Sequence, residues 1–132
     1  MQKLGNRVPY AWPALRGTET ALDLHARINR ARIEARVREL AIYARLRLEQ
    51  FSTLELVTPA APGQWAGILT ARVPGREIAD VLEVLRRVHR VRIGSAPLPG
   101  SDERALRISL NIFNSHDDIE QLINALRVVI GT

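Results

Sequence analysis

The chain contains no cysteine. That excludes disulfides, thiolate metal sites and a cysteine nucleophile, and it fits a cytoplasmic protein. Lysine is almost as scarce. Lys3 is the single lysine, so arginine supplies nearly all the positive charge behind a formal net charge of +5. No apolar run approaches the roughly 20 residues of a membrane-spanning helix, and the first ten residues lack the apolar core of a secretory signal. There is no Gly-x-Ser-x-Gly elbow and no Walker-type glycine loop. His25, His89 and His116 lie too far apart for metal ligation at i,i+4 spacing. Internal repeats and low-complexity segments are also missing.

What is present is a chain of 132 residues, enough for one domain with one sizeable core. The arginines spread over several helical segments and alternate with Glu and Asp. This pattern reads as a solvated surface; nucleic-acid binding, which favours clustered cations interleaved with aromatics, is disfavoured. Trp12 and Trp65 read as core or interface anchors.

Gly5, Pro9 and Pro13 punctuate an irregular start. The spacing of Leu15, Leu22, Leu24 and Ile28 predicts a helix from Ala14 to Ile28, weakened by Gly17. A longer helix follows over Ala31 to Phe51, where Ile33, Val37, Leu40, Ala44, Leu48 and Phe51 share one face. Strands are expected at Leu54–Thr58, Gly67–Val73 and Val91–Gly94, and a helix over Glu77–His89. Pro97, Pro99 and Gly100 mark Ala96–Glu103 as a loop.

The last stretch, from Ala105 on, is the clearest. Leu106, Ile108, Leu110 and Ile112 alternate with Arg107, Ser109, Asn111 and Phe113, the period of a half-buried strand. Ser115 then offers an N-cap hydroxyl with Asp118 three residues on, as in a capping box. Asp117, Asp118 and Glu120 place negative charge where the helix dipole favours it. Ile119, Leu122, Ile123, Leu126 and Ile130 form an apolar stripe, and Gly131 ends the helix. The order α–α–β–β–α–β–β–α predicts an α+β fold: a small, mostly antiparallel sheet with helices packed on one face.

The closing strand and acidic-capped helix resemble the C-terminal signature of the class V aminotransferase family, the fold-type I pyridoxal-phosphate enzymes that include cysteine desulfurases and isopenicillin-N-epimerase-like proteins. Arg107, Ser109, Phe113, Asn114 and Ser115 occupy the positions of that signature, with Phe for the usual Tyr and Ser for the usual Thr. The resemblance implies that Arg107 grips the α-carboxylate of an amino-acid substrate. A guanidinium fixed on a strand suits this task, because it forms two parallel hydrogen bonds to a carboxylate. The stretch Arg90 to Pro97 resembles a Val-Arg-x-Gly loop at the family's active-site mouth, which makes Arg92 a second substrate-binding candidate. Gly5-Asn6-Arg7-Val8-Pro9 resembles a segment that reaches the cofactor phosphate of a neighbouring subunit, which makes Asn6 and Arg7 cofactor-binding candidates. Arg16-Gly17-Thr18-Glu19 competes for the same match.

The resemblance also defines what this chain lacks. The desulfurase cysteine is absent, which favours the epimerase-like branch. The lysine that attaches pyridoxal phosphate is absent too, since Lys3 stands too close to the Gly5 segment to fill that role. The expectation is therefore a C-terminal domain or small subunit, inactive alone, with the lysine supplied either by another chain, a lysine-bearing large subunit or homologous chain, or by an upstream segment of which this chain is a fragment. Met1 and the helix end at Gly131-Thr132 suit an independent reading frame. Residues 1–30 would face that partner and residues 31–132 form the α+β domain. The alternative is a non-enzymatic module that binds a protein or nucleic acid through the arginine-rich helix, Ala31 to Phe51.

Overall fold

The computed structural model describes residues 12–61 and 63–131. Among them are helices α1 (Trp12–Ile28), α2 (Arg30–Leu48), α3 (Ile78–Arg87) and α4 (His116–Ile130) and strands β1 (Glu55–Leu56), β2 (Ile68–Arg72), β3 (Gly94–Pro97) and β4 (Arg104–Ser109). The element order is the one the sequence predicts. The strands form one antiparallel sheet in the order β1-β2-β4-β3, so β2 and β4 are central.

The described residues divide into two compact units, with the boundary between Ile33 and Glu34. In the first unit, none of the residues of α1 is buried: Leu15, Leu22 and Leu24 are exposed and Trp12 is 71% exposed. Asn29 separates the two helices. Its φ of 81° lies in the left-handed region, which Asn tolerates better than most residues. Its amide still donates to the His25 carbonyl, while its side-chain Oδ1 accepts from the Ala31 amide at 2.9 Å. One residue thus ends α1 and caps α2.

The second unit holds the core. Leu69, Ala71 and Val73 on β2 and just beyond it, with Leu106 and Ile108 on β4, point to the same side of the sheet and are buried. Leu40, Ala44 and Leu48 of α2, Ile78, Val81 and Leu85 of α3, and Ile119, Leu122, Ile123 and Leu126 of α4 complete the same cluster. Full burial of each large aliphatic side chain contributes about 1.5–3 kcal/mol, so this one face accounts for most of the cohesion. The opposite face carries Ile68, Thr70, Arg107 and Ser109 and is largely open, with Ile68 52% exposed.

Three elements have a boundary at least three residues from the sequence expectation. The third strand lies at Gly94–Pro97, three residues later than expected, because its partner Arg107–Arg104 sets its place. Val91 and Ile93 pack against the core without strand pairing, after Arg90 turns the chain at a φ of 58°. Strand β4 stops at Ser109, because Asn111 and Asn114 close a turn: the Asn111 amide donates to Asn114 Oδ1 at 2.9 Å and the Asn114 amide to the Asn111 carbonyl at 3.0 Å. Phe113 consequently sits on that turn, 77% exposed. The long helix ends at Leu48, and Phe51 enters the core from the turn that follows.

Helix α4 starts as its sequence dictates. Ser115 Oγ accepts from the Asp118 amide at 3.1 Å and Asp118 Oδ2 accepts from the Ser115 amide at 2.9 Å, a reciprocal capping box. That backbone bond from Ser115, with smaller help from the Ser115 and Asn114 side chains, holds the Asp118 carboxyl below its ordinary pKa. At the far end Gly131 takes a φ of 84° and its amide donates to the Arg127 carbonyl.

Candidate functional site

From Leu106 on, strand β4 alternates buried and exposed residues, so burial of Leu106 and Ile108 forces Arg107 and Ser109 onto the open face. Arg107 is held between two cross-strand neighbours, Thr70 on β2 and Gly94 on β3. The other two sheet arginines are tied. Arg72 donates to Glu103 at 2.7 and 3.1 Å and to Glu55 at 3.4 Å, which raises its own pKa and lowers that of Glu103. Arg104 donates to Ser95 Oγ at 3.0 and 2.8 Å. Arg107 has no hydrogen-bond or ion partner among the described residues. An exposed guanidinium, anchored on a central strand and free of protein acceptors, is equipped to take a carboxylate in bidentate fashion.

Arg92 is exposed and lies in the segment between α3 and β3. With Ser109 and Asn114 it lines a cavity of about 200 Å³ floored by Ile108 and Leu122. The structure thus brings Arg92 together with two positions of the C-terminal signature, while Arg107 lies outside that cavity. Asn6 and Arg7 lie outside the described residues. The competing segment, Arg16 to Glu19, is helical: Arg16 pairs with Glu19 at 2.9 Å and Thr18 Oγ1 donates to the Ala14 carbonyl at 2.9 Å. Trp65 packs against the core, with the Arg45 guanidinium 5.7 Å from its ring and its indole N–H without an acceptor.

Two contacts at this site are silent in the sequence, although Gly94 itself is the glycine of the Val-Arg-x-Gly match. Gly94 lies directly against the Arg107 guanidinium, whose Nη2 would stand 3.3 Å from a Cβ at that position. Arg36 reaches the carbonyl of Asn114 at 3.4 Å while bound to Glu39 at 2.9 and 3.0 Å, and so ties α2 to the turn that follows β4. Neither contact has a local signature, because both join residues far apart in the chain.

The described residues do not by themselves fit pyridoxal phosphate. They include no lysine, so they offer no amine for its covalent attachment. No group of three His, Cys, Asp or Glu residues that could hold a metal ion occurs among them, and none of their helices is long and apolar enough to cross a membrane.

Known proteins match this chain over most of its length. Residues 11–122 match the family model described as aminotransferase class-V. The matched stretch contains Arg16–Glu19, Arg92 and Arg107 and excludes Gly5–Pro9. An isopenicillin N epimerase of Amycolatopsis lactamdurans is 35% identical over 109 residues, 82% of this chain and 27% of that protein. One from Streptomyces clavuligerus is 30% identical over 115 residues, 86% of this chain and 28% of that protein. Among solved structures, a cysteine desulfurase of Thermococcus onnurineus superposes with a TM-score of 0.69 at 21% identity, covering 80% of this chain and 28% of its own. A cysteine desulfurase of Escherichia coli does so with a TM-score of 0.70 at 18% identity, over 83% and 28%. At such identities these structures speak for the fold alone. The chain spans little more than a quarter of the length of the relatives it matches. The family match over most of the chain, the epimerase similarity and the shared fold together place it: this chain belongs to the class-V aminotransferase family.

Proposed function

We propose that this chain serves as the small, C-terminal domain of a pyridoxal-phosphate enzyme acting on an amino acid, with Arg107 gripping the substrate carboxylate. The observation that carries the reading is the state of Arg107. It stands on the open face of the sheet with no side-chain partner among the described residues, while Arg72 and Arg104 are both engaged. Arg92, on the cavity shared with Ser109 and Asn114, contributes a second cation near the same end of the sheet. The lysine and most of the cofactor site come from another chain or from a further segment. When bound, the cofactor supplies the electron sink for chemistry at the amino-acid α-carbon. This chain's own part is to bind and orient the substrate. Residues 1–30 face the cofactor-bearing partner, through Asn6 and Arg7 or through the Arg16–Glu19 segment, which lies within the family match. The epimerase similarity and the missing cysteine favour an epimerase-like reaction over cysteine desulfuration.

A binding module that uses α2 for a polyanion is the weaker reading. Arg36, Arg38, Arg45 and Arg47 are all engaged with carboxylates of the same domain, which leaves few free cations along that helix. The test is Arg107→Ala in the chain assembled with a lysine-bearing relative. Affinity for an amino acid should fall about ten- to a hundred-fold, the worth of hydrogen bonds to a charged group, and affinity for the matching amine without a carboxylate should not change. Equal affinity of the two proteins for the amino acid would remove Arg107 from the site.

A further inference from the structure

Arg107 has a neighbour on each side, and its side chain goes to only one of them. Thr70 on β2 carries a β-branched side chain; Gly94 on β3 carries none. A Cβ built on Gly94 would lie 3.3 Å from Arg107 Nη2, 3.5 Å from Nε and 3.7 Å from Cζ. Three atoms of the planar group are thus nearly equidistant from one point on β3, so the guanidinium covers the space that a side chain on Gly94 would fill. The glycine is not needed for backbone freedom. Four other described glycines take positive φ and Gly94 does not, so its conformation is one that any residue adopts. What a side chain would remove at this position is space.

We propose that Gly94 is a positioning residue for Arg107. Its bare Cα leaves a floor on β3 on which the guanidinium rests, aimed at the β3 edge of the sheet, and the ligand's carboxylate is gripped there. The inference rests on the carboxylate role proposed for Arg107 and adds where the ligand lies. Strand β3 is an edge strand that no further strand pairs among the described residues, whereas the Thr70 side continues into β2 and β1. The position also brings the gripped group to the strand that Arg92 leads into, two residues before Gly94. A side chain at 94 would lift the guanidinium and turn it back toward β2. A methyl at 3.3 Å demands a shift of a few tenths of an ångström; a β-branched group demands a different rotamer.

The experiment is NMR on the chain with its arginine side chains labelled, free for the contact and assembled with a lysine-bearing relative for the titrations and affinities. The free protein should show a nuclear Overhauser effect between Arg107 Hε and the Gly94 α-protons. Titration with L-alanine should shift Arg107 Hε, and ethylamine, which lacks the carboxylate, should not. Gly94→Ala should weaken the effect, and Gly94→Val should abolish it and lower affinity for alanine at least about tenfold, with the backbone amide spectrum retained. The double variant Gly94→Thr with Thr70→Gly should move the contact to β2. Absence of the Arg107–Gly94 contact in the free protein overturns the proposal, and so does a Gly94→Val protein with wild-type affinity. A contact that responds to these variants in a protein that ignores alanine would sustain the positioning and remove the carboxylate role of Arg107.

Discussion

A methyl group on Gly67 would stand 2.6 Å from the carbonyl oxygen of Leu110 and 2.6 Å from Cγ1 of Val37. The Gly67 carbonyl in turn accepts from the Leu110 amide at 2.6 Å, which closes the end of the β2–β4 pair. Gly67→Ala should therefore lower stability by about 1–3 kcal/mol, the usual cost of overpacking a tight site. Chemical denaturation measures it, and an unchanged midpoint would contradict the close approach. Adding Val37→Ala should recover only part of the loss, because the Leu110 carbonyl is backbone and cannot step aside. The sequence places Gly67 at the start of a strand and says no more; its contacts come from residues 30 and 43 positions away, which no local pattern records. Arg107 is the opposite case. Alternation alone puts it on the exposed face, and the signature around it names a chemistry. What alternation does not give is the direction in which its side chain lies, since that depends on which residue the sheet register places opposite.

Helices α2 and α4 are joined by a clasp of polar side chains. Glu120 accepts from Arg47 Nε at 2.6 Å and Nη2 at 2.7 Å and from the Tyr43 hydroxyl at 2.6 Å. The Tyr43 ring meets the His116 ring edge-on at 4.6 Å, and His116 Nε2 lies 3.4 Å from Glu39. Arg47 first, then Tyr43, pull the Glu120 carboxyl down from an ordinary 4.5 to about 2, and the same bond to Glu120 raises the Tyr43 pKa. A carboxyl with a depressed folded pKa contributes stability above its unfolded pKa and loses it as pH falls through the folded one. Wild-type stability should therefore drop as pH falls from about 4.5 to about 2, and Glu120→Gln should flatten that limb while lowering stability near neutrality. Denaturation midpoints of the two proteins across this range decide it; parallel curves would separate Glu120 from the acid response. The α4 cap offers a companion measurement. Ser115→Ala should cost about 1 kcal/mol, because the Asp118 amide loses its acceptor. Helix α4 was legible because cap, stripe and stop are all local. Strand β3 was not, because Gly-Ser-Ala-Pro has little strand propensity of its own and takes strand form only by pairing with Arg107–Arg104.

On the scale of the whole chain, exposed large apolar side chains fall in both units: Trp12, Leu15, Leu22 and Leu24 on α1, and Ile42, Leu46, Val88, Phe113 and Val128 among those of residues 34–131. Helix α1 buries none of its residues, and an isolated helix of 17 residues is marginal in water. The open sheet face adds Ile68, and the relatives are more than three times as long as the stretch matched here. Under the proposed reading a cofactor-bearing partner covers α1, which would account for both features, and supplies the lysine. Leu22 separates association from folding. It is 65% exposed, so Leu22→Glu should change the stability of the chain by no more than about 0.5 kcal/mol. The same substitution should weaken binding to a lysine-bearing relative, because it places a charge in the centre of an apolar contact. Sedimentation with visible absorbance read together makes the comparison: the wild-type chain should run with its partner as a coloured complex, and the Leu22→Glu chain should run apart from it. Wild-type chain that stays separate and colourless with such relatives, yet binds polyanions with a steep salt dependence, would transfer the function from an enzyme site to the arginine-bearing surface.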